Sequence, residues 1–281
     1  FGEFKGITSK IGGNNGNEFE DNLAQIEESF SEYASLIYDG PFSEHVRNKP
    51  PKMTKDAQEI SPQDAIDKVT VFLGPERVAS VEITDEGNSS IPTYSCTITT
   101  PDKRQTFADV TKGGGYVLLF LDDRQPEDAQ MEVTDAALSA RDFLVKNGFL
   151  SMFESYYQRD GNTVVINYAY KQGDYVIYTD LIKVKVALDN GDILGFECQG
   201  YITNHQEQRH IPQTTVTEEE ARQAVNPAIE VTGVNKAMIP QDDGSEVFCY
   251  EVKGSLNNKN FLVYVNVENG NEEKILILQE D

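Results

Sequence analysis

Val186-Ala187-Leu188-Asp189-Asn190-Gly191-Asp192-Ile193-Leu194-Gly195-Phe196-Glu197-Cys198-Gln199-Gly200-Tyr201 sets an acidic centre between two apolar runs. Asp189-Asn190-Gly191-Asp192 is either a fragment of a calcium loop or a tight turn joining two strands. A calcium loop needs alternating oxygen ligands and a closing bidentate Glu over about 12 residues, a register this stretch lacks. Asn-Gly between apolar runs is a strong hairpin signal, because a two-residue turn asks for positive φ at both central positions. The stretch therefore reads as a turn between strands at Val176–Leu188 and Asp192–Tyr201, and the chain as a scaffold rather than a metal site.

Comparable turns recur at Gly113-Gly114-Gly115 and Asn269-Gly270. Each lies within a group of about four strand-like runs that follows one helical pattern. The first group is Val78–Thr84, Thr93–Thr99, Gln105–Val110 and Tyr116–Leu121; the second begins with Ser151–Arg159 and Thr163–Tyr170 and ends with the opening pair. The third is Val234–Ile239, Glu246–Val252, Asn260–Val267 and Glu273–Leu278. Ahead of them, Ser61-Pro62-Gln63-Asp64 and Thr217-Glu218-Glu219-Glu220 have the hydroxyl and the acid three residues on that make a capping box. Thr134 is the corresponding cap of the middle helix, with Ala137 where a capping acid would sit. Caps at 61, 134 and 217 are 73 and 83 residues apart, too far for a solenoid period of about 20–50 residues.

The expected fold is α+β: three tandem modules, each one helix packed on an antiparallel sheet of about four strands. They span 60–123, 133–203 and 216–281, and units this small are expected to pack on one another. Residues 1–59 read as a flexible lead-in, an amphipathic helix and a connector. Phe19, Leu23, Ile26, Phe30, Tyr33 and Ile37 are spaced 4-3-4-3-4 and fall on one stripe, with Asp39-Gly40-Pro41 as the stop.

The 281 residues hold 24 Lys and Arg against 47 Asp and Glu, a formal net charge of −23. Such a surface is repelled by nucleic acid and by anionic lipid, so neither is expected as a partner, whereas a basic protein would be attracted. The charge is also accounted for by solubility alone. The longest apolar run, Tyr116–Leu121, has six residues, far short of the roughly 20 of a membrane-spanning helix. Residue 1 is Phe, so the sequence reads as an excerpt; no membrane contact is expected of this fragment, with anchoring upstream.

No reactive constellation emerges, so no catalytic residue, metal or cofactor is expected. Cys96, Cys198 and Cys249 are far apart and read as buried thiols. Of three histidines, His205 and His210 fall five apart in a polar connector and read as exposed linker residues. Gly113-Gly114-Gly115 precedes a strand, the reverse of a nucleotide-binding order. Carboxylates abound, and a glycosidase needs two, but abundance makes any chosen pair uninformative. Tyr156, Tyr157, Tyr175 and Tyr178 crowd the second module with Tyr168 and Tyr170. They serve either as a partner-binding aromatic surface or as core and cross-strand residues. Val164, Ile166, Tyr168 and Tyr170 alternate as a core-facing strand would.

Ile60-Ser61-Pro62-Gln63-Asp64-Ala65 and Val216-Thr217-Glu218-Glu219-Glu220-Ala221, each before a meander ending in a Gly-containing hairpin, resemble PepSY domains. Glu28-Ser29-Phe30-Ser31-Glu32-Tyr33-Ala34-Ser35-Leu36-Ile37-Tyr38-Asp39-Gly40-Pro41-Phe42-Ser43-Glu44-His45 before three such copies resembles the C-terminal part of the YpeB family of spore germination proteins. That resemblance implies a non-enzymatic protein of the spore, outside the inner membrane, that binds and stabilises a cortex-lytic peptidoglycan hydrolase of SleB type; whether it also keeps the enzyme inactive is left open. Alternatives are a direct inhibitor of a protease or cell-wall hydrolase, or a carboxylate-dependent peptidoglycan hydrolase. Candidate partner-binding residues are the stripe Phe19, Leu23, Ile26, Phe30, Tyr33 and Ile37, and Tyr156, Tyr157, Tyr175 and Tyr178; oligomeric state is left open.

Overall fold

The computed structural model describes residues 7–9, 50–87, 90–257 and 259–278. The stripe Phe19–Ile37 lies outside the described residues. A short strand β1 (Ile7–Ser9) pairs antiparallel with the last strand of the chain. The first copy is α1 (Pro62–Leu73) with β2 (Ser80–Gly87), β3 (Thr93–Thr99), β4 (Gln105–Thr111) and β5 (Val117–Leu121). The second is α2 (Val133–Lys146) with β6 (Met152–Asp160), β7 (Thr163–Gln172), β8 (Tyr175–Ala187) and β9 (Ile193–Glu197), after which comes a short helix α3 (Gln199–Asn204). The third is α4 (Glu218–Ala224) with β10 (Glu230–Pro240), β11 (Glu246–Leu256), β12 (Lys259–Asn266) and β13 (Glu272–Leu278). The fold is α+β, with one helix and four antiparallel strands in each copy.

One loop is built three times. Thr111, Ala187 and Asn266 each donate their N–H to the carbonyl five residues on, Tyr116, Asp192 and Asn271, at 2.8, 2.9 and 2.8 Å. The residue before that acceptor is Gly115, Gly191 or Gly270, with φ of +68°, +79° and +75°. Asn190 does not share the positive φ expected of a two-residue turn; among the described residues only Lys103, Ser151 and Asn257 do so without being Gly. The loop is instead one helical turn, in which Gly191 N–H reaches Ala187 O at 2.9 Å and the left-handed glycine reverses the chain.

The same loop pins the start of each helix. Lys112, Leu188 and Val267 carbonyls accept the N–H of Ile60, Met131 and Val216 at 2.9, 3.0 and 3.0 Å. Five residues beyond each donor, Ala65, Ala136 and Ala221 are all 0% exposed, where the helix sits hardest on its sheet. In α1 and α4 the expected capping boxes form: Ser61 and Asp64 exchange bonds, as do Thr217 and Glu220. In α2 the expectation fails. The backbone N-cap is Glu132, without a side-chain cap, and Thr134 lies inside the helix. The acid is present three residues on as Asp135; what is missing is the hydroxyl.

The expected strand Asp192–Tyr201 also stops early, at Glu197, and turns into α3. Cys198, Tyr201 and Ile202 are buried at helical rather than alternating spacing, so the helix keeps all three in the core. Gly200 allows α3 to lie against β8, since a Cβ there would come 3.2 Å from Leu181 O.

The copies join edge to edge. β5 pairs antiparallel with β9 over Leu119–Leu121, and β10 pairs parallel with β8 over Lys236–Met238. Three small sheets thereby run into one hydrogen-bonded sheet. α1 and α2 share a single core across the first joint, where the Phe196 ring lies 4.9 Å from Phe72 and 6.0 Å from Phe143, both T-shaped. The third copy has its own core under α4, into which Tyr175 and Ile177 of β8 enter. Val164, Ile166 and Tyr168 face the α1–α2 core as their alternation predicts.

Candidate functional site

β8 serves two neighbours, and the change-over is marked by a wide bulge. Its pairing with β7 passes from Tyr170↔Ile177 to Ala169↔Leu181, so that Tyr178, Thr179 and Asp180 fall within the register shift. A bulge this size removes backbone pairing and re-aims side chains, so other groups must hold it. Asn204 of α3 donates to Thr179 O at 3.1 Å. Asp180, 0% exposed, takes two bonds from Arg209, at 2.6 and 2.9 Å. Arg209 in turn reaches Glu246 of β11 at 3.1 Å and Asn204 O at 2.8 Å. Burial works against the Arg209 charge, but the Asp180 and Glu246 carboxylates outweigh it and raise its pKa above the ordinary guanidinium value.

His205 belongs to this junction, contrary to the expected exposed linker. Its Nδ1 is 2.9 Å from Asp180 Oδ2 and its ring stacks on Tyr201 at 4.1 Å. His210 is exposed, as expected. On the other side of the bulge Glu251, 2% exposed, accepts from Tyr178 OH at 2.7 Å and from Tyr264 OH at 3.0 Å. Burial first, and the Glu251 charge second, push both phenols well above the usual tyrosine range.

A cleft of about 490 Å³ opens beside this junction, between α2, β6 and the Lys253 end of β11. From α2 it is lined by Thr134, Leu138 and Arg141, and from β6 by Phe153, Tyr156 and Tyr157, with Tyr178 from the bulge. Leu138 and Phe153 are 53% and 42% exposed and put apolar area side by side at the cleft. Arg141 bonds Glu154 at 2.7 Å across the opening. Tyr168 OH reaches Ala137 O at 3.0 Å and ties the helix to the sheet below.

Of the sequence candidates, Tyr156, Tyr157 and Tyr178 are brought together here. Tyr175 is not; it is 4% exposed, packs T-shaped on Phe248 at 5.0 Å, and belongs to the third core. Leu138, Arg141, Phe153 and Lys253 escaped sequence reasoning, because nothing in a helix or strand pattern says which apolar residue its sheet leaves uncovered. The cleft offers aromatic faces, apolar area and two half-exposed cations. Glu154 is the single carboxylate lining the cleft, and it is salt-bridged. Among the described residues no group of three or more His, Cys, Asp or Glu is placed to hold a metal. Asp189 of the opening stretch is engaged by Arg124 at 2.7 and 3.0 Å, which with the Glu127 N–H outweighs the opposing effect of burial and lowers its carboxyl to about 2. Burial raises the Cys96 thiol to about 11 and pushes Cys198 and Cys249 higher, which suits inert core residues. Among the described residues no helix is long and apolar enough to cross a membrane.

Comparison with known proteins agrees with this architecture. The family described as "YpeB sporulation, PepSY1 and PepSY2 domains" matches residues 19–212, and "Peptidase propeptide and YPEB domain" matches 215–276. The chain is 31% identical to the sporulation protein YpeB of Halalkalibacterium halodurans over 226 residues, 80% of this chain and 50% of that protein. It is 32% identical to the sporulation protein YpeB of Bacillus subtilis over 225 residues, 78% of this chain and 49% of that protein. The chain thus spans about half the length of the curated relatives it matches. The solved Bacillus megaterium YpeB C-terminal domain superposes with a TM-score of 0.71 at 29% identity, covering 80% of this chain and 100% of that one. The sequence repeat, the thrice-built loop and these matches converge: the chain belongs to the YpeB sporulation family and is made of its PepSY domains.

Proposed function

We infer that this chain is a non-catalytic part of a spore germination protein that binds and stabilises a cortex-lytic peptidoglycan hydrolase of SleB type, and keeps it inactive, outside the inner membrane of the dormant spore. Membership of a sporulation family supplies the setting. The observation that carries the binding role is the cleft at the fork of the sheet. It shows Leu138 and Phe153 to solvent, gathers Tyr156, Tyr157 and Tyr178, and holds one carboxylate where acid–base cleavage of a glycoside would need two. The working units of this scaffold are proposed to be 60–123, 133–203 and 216–281, following a segment 1–59.

Co-purification of the chain with the hydrolase at low salt tests this reading, and repeated failure to retain the enzyme would remove it. Hydrolase rates with and without the chain separate the two actions. Unchanged rates beside real binding mean stabilisation alone; a fall means inhibition. Release of muropeptides from purified cortex by the chain itself would overturn the non-catalytic reading.

A further inference from the structure

The cleft presents two half-exposed cations on a chain that is acidic overall. Overall the sequence is at −23, yet the cleft is lined by two cations, Arg141 and Lys253, against one carboxylate, Glu154. Each cation is paired with an acid that lies deeper, Glu154 at 12% and Glu251 at 3% side-chain exposure, so the cations face the solvent side. Arg141 is 52% exposed and spends one N–H on Glu154, while a guanidinium has five to give. Lys253 is 46% exposed and forms a looser ion pair, 3.7 Å, with the buried Glu251. Between the two cations the wall is apolar and aromatic, with Leu138, Phe153 and Tyr178. A chain at −23 repels an acidic partner in general; two half-exposed cations beside exposed apolar area give a carboxylate a favourable place on it.

We propose that this cleft is the docking site for an apolar segment of the partner protein that carries a carboxylate. The apolar side chains of that segment lie over Leu138 and Phe153, and its acid meets Arg141 and Lys253. Because α2 and β6 belong to the second copy and Lys253 to the third, the docked segment bridges both and braces the fork. This deepens the hydrolase-binding reading and rests on it.

The test uses the whole chain and two synthetic probes, acetyl-Glu-Leu-Phe-Leu-Glu-amide and its Lys-for-Glu counterpart. The acidic probe is expected to bind at least tenfold more tightly and to shift amide resonances within 133–141 and 153–157. The paired change Arg141→Gln with Lys253→Gln should erase the preference between probes, and Leu138→Glu should abolish binding of the acidic one. Both sets alter exposed positions, and an unchanged thermal midpoint confirms that the variants fold. Equal affinity for the two probes, or shifts confined to another surface, overturns the proposal. So does a dimer of the free chain that Leu138→Glu dissociates, since a second copy would then fill the cleft. Hydrolase captured equally by wild type and by Leu138→Glu with Phe153→Glu overturns the site while leaving the binding function standing. Loss of capture in that variant alone supports both.

Discussion

The outer copies and the middle copy reach one architecture by different means. α1 and α4 start on capping boxes, and Tyr94 and Tyr250 donate to the carbonyls of Ile60 and Val216 just before those boxes, at 3.3 and 2.9 Å. Register places Val164 at the equivalent of these tyrosines in the middle copy, opposite Val186 as Tyr94 is opposite Val110. α2 has no side-chain cap and no such tyrosine bond just before its start; Tyr168 holds it further in, at Ala137 O. The middle copy is instead held from outside: by the aromatic joint around Phe196 on one side and by the buried ions around Asp180 on the other. Local side-chain bonds set the helix starts of the outer copies, whereas α2 starts without one, and the cleft lies beside that helix.

Arg209→Met should be the most damaging single change. It leaves Asp180, 0% exposed, without its guanidinium, a loss of about 3–5 kcal/mol on the general scale for broken buried pairs. Replacing Asp180 by Leu in the same chain should recover most of it, because the desolvated charge is then gone. The outer counterpart is Arg222→Met in α4, whose pair with Glu218 is exposed; about 0.3–0.5 kcal/mol is expected there. Urea midpoints of the four proteins measure this. A similar loss for Arg222→Met and Arg209→Met would break the distinction between local and imported stability.

Tyr178→Phe removes one donor from Glu251, which is 2% exposed, and should cost about 1–3 kcal/mol. The pH profile carries the same information. Tyr178 and Tyr264 have folded-state pKa values well above the ordinary 10.0, and Cys198 well above 9.0, each because burial disfavours the anion. For such raised groups stability is intact below the unfolded values and is lost as pH climbs past them. Unfolding followed from pH 8 to 11 should therefore weaken from about pH 9 upward, and Tyr178→Phe should flatten part of that decline. A profile unchanged by the substitution would show that the fork does not govern the alkaline limb.

How much of this was legible follows the same division. The starts of α1 and α4 and the cores of most strands were readable because Ser61 with Asp64, Thr217 with Glu220, and alternating runs such as Val164 to Tyr170 act within a few residues. The start of α2 was misplaced because Glu132 stands where the other two copies have Ser61 and Thr217, so the nearest hydroxyl, Thr134, drew the cap two residues too far along. Aligning Met131-Glu132 with Ile60-Ser61 and Val216-Thr217 would have found it, through the buried Ala65, Ala136 and Ala221. Tyr178-Thr179-Asp180 gives no local sign of a bulge, since its cause lies in Arg209, Asn204 and Glu246. The cleft was half visible in the clustered tyrosines, and its cations were not.

The smallest effect is the sharpest check on the missing hydroxyl. Thr217→Ala removes the side chain that accepts from Glu220 N–H at 3.2 Å and should cost about 1 kcal/mol. Glu132→Ser installs the same hydroxyl in the middle copy, where the backbone is already extended at φ −79° and ψ 160°, close to Thr217 at −80° and 161°. No rearrangement is then needed for Ser at 132 to accept from Asp135 N–H, so a gain of about 1 kcal/mol is expected. Acid sharpens the contrast. Hydrogen bonds from Ser61 and Thr217 hold the Asp64 and Glu220 carboxyls below their ordinary values. That part of the stability is present at neutral pH and fades as pH falls through the lowered values, so amide exchange should quicken at 61–65 and 217–221 first. No gain from Glu132→Ser would mean that α2 is set wholly by its neighbours, and that a local bond adds nothing to a helix start already fixed from across the sheet.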